Sequence, residues 1–306
     1  MQILYEGVDI YPEISLNMCV HDMYAEQQAD TVTLRFNDTM HLWDAWAPKK
    51  EEKIAVSLGN GKTGQMIIES IKPFNSLVEI RASSIPTNAN DKSNKSWQQV
   101  TFLQLCSEMA DRKGLTMESY GVTDQTYAYV CQSNKEDFVF LAERCILEGC
   151  AFLVYDGRLV IYSESYLESQ NPKETLLIAR NVKFDYKNNA NQVYGTCILK
   201  NGQLNGSYSV SGATNRVLEK TIGMKITSQA EADRFAKNYL RAENKKMMTG
   251  VCYSSTFLPQ YAAGSMVNLQ TEGVSSWNGP AFLYHVRHDY VKAETKLFFR
   301  KPLEGY

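Results

Sequence analysis

The sequence predicts an α+β fold that is mainly β, with two β-rich segments flanking a small α/β module. Apolar residues alternate at period two near both ends of the chain and switch to helical spacing in the middle. Three pairs, Thr101/Gln104, Ser133/Glu136 and Ser228/Glu231, have the spacing of a capping box, in which side chains satisfy the first free N–H groups of a helix. Asp156-Gly157 sits between two short apolar runs and is a strong hairpin signal.

Residues 1–85 read as the first β domain. Ile14, Leu16, Met18 and Val20 alternate with polar residues, as do Val32, Leu34 and Phe36, then Ile54, Val56 and Leu58. The turn Asn60-Gly61 follows, then the runs 66–71 and 78–82. Such alternation gives a sheet with one buried face, and short strands with Gly, Asn and Pro turns suggest a barrel or a sandwich. Closure would remove exposed strand edges. Residues 86–95 (PTNANDKSNK) read as a polar linker.

Residues 96–165 form the middle module. The Thr101 box opens a helix carrying Phe102, Leu105, Cys106 and Met109, and Gly114 ends it. Tyr127, Tyr129 and Cys131 alternate as a strand, and the Ser133 box opens a second helix with Phe138, Leu141, Ala142 and Cys145, stopped by Gly149. The Asp156-Gly157 hairpin completes the unit. Residues 164–175 form a second connector. Residues 176–306 read as the second β domain: strands from Val182 and Val193, a loop over 202–215, an inserted helix near 229–244, then strands over 251–257, 266–269, 282–286 and 297–300. The loop 272–280 presents an exposed Trp277.

The chain has 306 residues, enough for roughly two domains, and its 44% apolar content excludes general disorder. A net charge of −2, with scattered Lys and Arg, argues against a protein built to grip nucleic acid. No apolar run reaches membrane-spanning length, and the N-terminus lacks the pattern of a secretory signal. Seven cysteines without framework spacing read as buried free thiols from a reducing cytosol. The 18 Tyr, 12 Phe and 4 Trp suit sheets and large interfaces.

No residue set points to catalysis, a cofactor or a metal. His285 and His288 have H-x-x-H spacing, but in a strand such positions face opposite ways. Cys145 and Cys150 lack the C-x-x-C spacing of a redox or metal pair. Glu143 and Glu148 read as solvated or capping positions on a helix. Gly59-Asn60-Gly61-Lys62 lacks both the phosphate-loop spacing and a following helix, and reads as a hairpin turn. Trp43, Trp46 and Trp277 lie near turns. They are the interface candidates, with core or rim packing as the alternative.

Several stretches resemble the phage late control gene D family, the tail or baseplate hubs of contractile injection systems. NDTMHLWDAWAP (residues 37–48) is similar to that family's strand ending in an Asp-and-Trp turn, and GQMIIESIKPFNSLVEIRASS (64–84) to its Gly-led hairpin. SWQQVTFLQLCSEMADRKGL (96–115) and SNKEDFVFLAERCILEGCAFLVYDGRLVI (133–161) resemble its central helices and hairpin, and SQAEADRFAKNYLRAENKK its inserted helix. AAGSMVNL (262–269) and FLYHVRHDY (282–290) resemble its last strand pair.

The resemblance implies two β-barrel hub domains with the α/β module between them. It implies a homotrimer whose pseudo-six-fold ring joins a six-fold tail tube protein to a three-fold central spike protein, with the tape-measure protein as a further partner. It also implies a virion or particle baseplate assembled in the bacterial cytoplasm, in a phage, an R-type bacteriocin or a related particle, with no enzymatic activity, membrane or sequence-specific nucleic acid involved. Spike and lytic functions would then belong to separate chains. The alternative is a tail-tip peptidoglycan hydrolase using Glu143 and Glu148.

Overall fold

The computed structural model describes residues 1–211 and 214–306. Among them the chain is mainly β, with 22 strands and five α-helices: α1 (Leu42–Trp46), α2 (Phe102–Arg112), α3 (Asp137–Leu147), α4 (Glu164–Glu168) and α5 (Gln229–Asn244). The Thr101 box forms as its spacing predicts: the Gln104 amide donates to Thr101 Oγ1 at 3.2 Å, and the Thr101 amide to Gln104 Oε1 at 2.9 Å. Ser228 caps α5 through the Glu231 amide at 3.2 Å, while the Glu231 carboxylate reaches back one residue further, to the Thr227 amide. Asp156 and Gly157 both have positive φ, 49° and 73°, as a two-residue hairpin turn requires.

Three local expectations are corrected. Ser133 and Glu136 do not box α3. The strand Thr126–Glu136 runs through both, paired with Lys92–Thr101 up to Glu136↔Lys92, and the ladder outcompetes the local cap. For the same reason residues 92–95 are strand rather than linker. The segment 202–215 contains the strand Gly206–Ser209, paired with Thr196–Leu199; its residues 212 and 213 lie outside the described residues. Gly206 is required there, because a Cβ would sit 2.0 Å from the Ala232 carbonyl oxygen of α5.

Both β-rich segments share one 14-stranded sheet. Its path runs from Lys183–Asn188 through Met248–Ser254, Glu294–Arg300 and Gly279–Asp289 to Ser15–Tyr24. It continues through Thr31–Asn37, Leu77–Ser83, Met66–Phe74 and Lys53–Leu58 to Gln2–Tyr5 and Val8–Asp9. No ladder among the described residues closes it into a ring. The reason is visible in Gly279–Asp289. Glu294–Arg300 takes one of its edges, while the other is divided between Met266–Leu269 at its start and Val20–Tyr24 at its end. Strand from the second segment is thereby committed to the first.

Three main cores result. One lies under the first β segment, around Ile3, Leu34, Phe36, Ile54 and Ile80. A second lies under the last strands, around Val267, Leu283, Leu297 and Phe299. The third joins α2, α3 and the middle hairpin to α5 and the small sheet containing Thr196–Lys200. Phe235, Ala236 and Leu240 of α5 pack there beside Leu141 and Phe152.

Side chains tie the first and last segments together in two ways, one beside the Val20–Tyr24 ladder and one within it. One is an ionic junction. Arg300 Nε donates to Glu26 at 3.0 Å and its other arm meets Glu168; Arg241 reaches Glu168 at 2.7 Å and Glu164 at 3.4 Å; Lys245 bridges Glu164 and Glu26. All six side chains are at most 10% exposed. Burial pushes the Glu26 carboxyl up, but Lys245, Arg300 and Lys246 bring it down to about 2. The other is a seam without ion pairs. His21 lies opposite His288 across the strands, with Cys19 and Tyr290 on the same face and Phe257 packed over His288 and Tyr290. His288 Nδ1 bonds Thr295 at 2.9 Å, whereas both His21 nitrogens and the Tyr290 hydroxyl are buried without hydrogen-bond partners among the described residues. Burial lowers His21 to about 3 and His288 to about 4, so both are neutral.

Candidate assembly surface

The turn after Thr31–Asn37 is organised by Asp38. Its amide donates to the Ser76 carbonyl at 2.7 Å, its carbonyl accepts the His41 amide, and its carboxylate accepts the Trp43 amide at 3.3 Å. This holds α1 between two left-handed residues, His41 and Ala47. Trp43 turns inward onto Phe36, ring centroids 4.4 Å apart, and Trp46 packs edge-on to Trp43 at 5.3 Å. Trp46 stays 36% exposed and Met40 78%, and Leu42 and Phe74 are also exposed. Met40, Leu42 and Trp46 rim a cleft of about 440 Å³ that Ile14, Asp38 and Glu13 help to line. The result is an apolar ledge at one end of the first β segment.

Trp277 is a correction. The loop 272–280 folds back on itself: the Thr271 amide donates to Asn278 Oδ1 at 2.7 Å, and Lys301 Nζ donates to the carbonyls of Trp277 and Asn278 at 2.8 and 2.9 Å. The indole is only 1% exposed, set edge-on to Phe184 at 5.6 Å and near Phe299. Trp43 is buried as well. Of the three interface candidates only Trp46 reaches the surface. Met40, Leu42 and Phe74 were not singled out from sequence. For Met40 and Leu42 the signal was present in the unusual apolar content of a polar turn, NDTMHLW.

The other sequence candidates are separated. His285 bonds Asp22 at 2.7 Å, stacks between Tyr24 and Phe298, and shares Asp22 with Arg287. His288 faces the opposite side, in the histidine seam. Glu143 pairs with Lys135 at 2.6 Å, whereas Glu148 is buried against the Tyr127 hydroxyl at 2.6 Å and Arg234 at 3.0 Å. The two carboxylates therefore serve different partners. Cys145 and Cys150 are buried free thiols, and burial pushes both pKa values up. Gly59 and Asn60 form the turn that pairs Leu58 with Gly61. No group of three or more His, Cys, Asp or Glu among the described residues is arranged to hold a metal ion.

No family model and no curated protein matches the chain. Solved structures do. The prophage MuSo2 43 kDa tail protein from Shewanella oneidensis superposes with TM-score 0.74 at 11% identity, over 98% of this chain and 97% of that one. A tail protein from Neisseria meningitidis gives TM-score 0.75 at 13% identity, over 98% and 95%. This chain has the fold of phage tail proteins. The same fold extends to an E. coli component of the type VI secretion system, described as structurally similar to the T4 tail proteins gp27 and gp5, with TM-score 0.64 at 13% identity over 100% of this chain and 78% of that one. These neighbours agree with the hub resemblance carried by the sequence motifs.

Proposed function

We propose that the chain is a structural hub of a contractile tail or related injection particle. The observation that carries this reading is the near-complete mutual coverage with two tail proteins, which leaves little of either fold unmatched. In this reading residues 1–85 and 176–306 supply two barrel-like units and residues 96–165 the module between them. Three copies form a ring of six similar units that meets a six-fold tube on one face and a three-fold spike on the other, and the protein catalyses no reaction. Heterologous contacts close only when the rotation closes, so two related units per chain let one gene product match both symmetries. The ledge of Met40, Leu42 and Trp46 supports the reading, because exposed aromatic and apolar side chains concentrate binding energy.

Mass photometry of the chain alone, and mixed with spike and tube proteins from neighbouring genes, tests the proposal. A trimer burying more than about 2,000 Å² per interface, formed alone or on mixing, is expected. A species that stays monomeric with every partner overturns it.

A further inference from the structure

Arg144 of α3 is only 6% exposed, yet among the described residues its guanidinium is hydrogen-bonded to Met224 and to no carboxylate. Nη1 lies 3.3 Å from Met224 Sδ, the group stacks over Phe140 and Tyr127 at 5.2 and 5.7 Å, and Nε has no partner. Nearby carboxylates are already engaged, Glu143 by Lys135 and Glu148 by Arg234 and Tyr127. A buried cation without a counterion is costly, and arginine does not shed its proton to escape the cost. Burial lowers its pKa, and the nearby Tyr127, Glu143 and Glu148 offset that only in part.

A cavity of about 510 Å³ opens beside it, walled by Thr126–Glu136, α3, the segment 221–225 and Tyr239. Lys225 adds a second cation, and the one lining carboxylate among the described residues, Glu143, is the one held by Lys135. Thr126–Glu136 belongs to a two-stranded sheet and pairs on one side only, with Lys92–Thr101, and its residues Val130, Cys131 and Ser133 line the cavity.

We infer that this cavity receives a carboxylate side chain of an extended peptide segment from a partner protein, which lies along the free edge of Thr126–Glu136 and pairs with Arg144. A free strand edge supplies main-chain hydrogen bonds to an added strand, and the cavity beside it supplies selectivity. Carboxylate is favoured over phosphate because the walls at Val130, Ile222 and Met224 are apolar, and a monoanion is less costly to desolvate than a dianion. The inference does not depend on the hub reading.

The test is fluorescence anisotropy with the full chain and a labelled peptide of alternating valine and glutamate. Binding is expected to weaken about tenfold or more in Arg144→Met, or when glutamine replaces the glutamates, and to weaken less in the surface variant Lys225→Ala. Arg144→Met should melt no lower than the parent, because it removes an unpaired buried charge. Equal affinity of parent and Arg144→Met overturns the inference, as does no binding up to about 1 mM peptide. So does a clear drop in the melting temperature of Arg144→Met, which marks a merely structural arginine. Displacement of the peptide by inorganic phosphate at lower concentration than by acetate overturns the choice of carboxylate.

Discussion

The ionic junction and the histidine seam both tie the first β segment to the last, with opposite electrostatics. The junction seals three carboxylates against Arg241, Lys245 and Arg300. The seam seals two imidazoles that must stay neutral: burial outweighs the pull of Asp22 on His21. A charge can be buried if its counterion is buried with it, and a titratable group can be buried alone if it gives up its charge. The junction therefore fails when one partner is deleted, and the seam fails when protons are added.

The largest expected effect is on the junction. Arg300→Met leaves Glu26 and Glu168 short of a cation and should cost about 3–5 kcal/mol of unfolding free energy in a urea titration. Adding Glu168→Gln should recover part of that loss, and strict additivity of the two changes would break the picture of one coupled network.

The seam predicts a pH window. Folded His21 and His288 titrate near 3 and 4 against an ordinary 6.5, so their contribution is complete above about 6.5 and is lost as pH falls toward 4. Asp30 opposes this. Buried, it is raised to about 7, so folding takes up its proton, and stability falls as pH rises from about 4 to 7. Between about pH 6 and 5 the unfolded chain holds nearly two histidine protons while the folded chain holds one on Asp30, a net loss of about 1.1 kcal/mol per pH unit on acidification. His21→Leu should bring that slope near zero, and Asp30→Asn should about double it. Urea midpoints at pH 6 and 5 decide. Glu26 enters later, because its stabilisation is present above about 4.5 and lost as pH falls toward 2.

The smallest effect, that of Trp46→Ala, is read against a buried indole. Trp277→Ala removes an indole sealed against Phe184 and Phe299 and should cost about 3–5 kcal/mol. Trp46→Ala should change monomer stability by less than about 1 kcal/mol. It should nevertheless weaken assembly in the mass photometry assay.

What could be read from the sequence followed from how local each signal was. The Thr101–Gln104 cap and the Asp156-Gly157 turn are settled within a few residues, and both form as their spacing predicts. Ser133–Glu136 has equally good local spacing, but Lys92–Thr101 holds it in a ladder. That strand was itself hidden, because only Trp97 and Val100 along it are buried and no alternation shows. Trp43 and Trp46 were legible as a turn pair, but not which of them would face inward. Trp277 was misplaced because its exposure depends on Phe184, Phe299 and Lys301, all remote in sequence. The junction was illegible for the same reason: Glu26 and Arg300 lie at opposite ends of the chain.

The pairing of Ser15–Tyr24 with Gly279–Asp289 also bears on biosynthesis. At usual ribosomal speeds the first hairpin emerges tens of seconds before the strand that covers its edge. During that interval a ribbon of unsatisfied amides, carrying Cys19, His21 and Met23, is open to any other nascent chain. Expression yield should therefore respond to slowed elongation late in the message, or to holdase chaperones, more than to changes in the middle module.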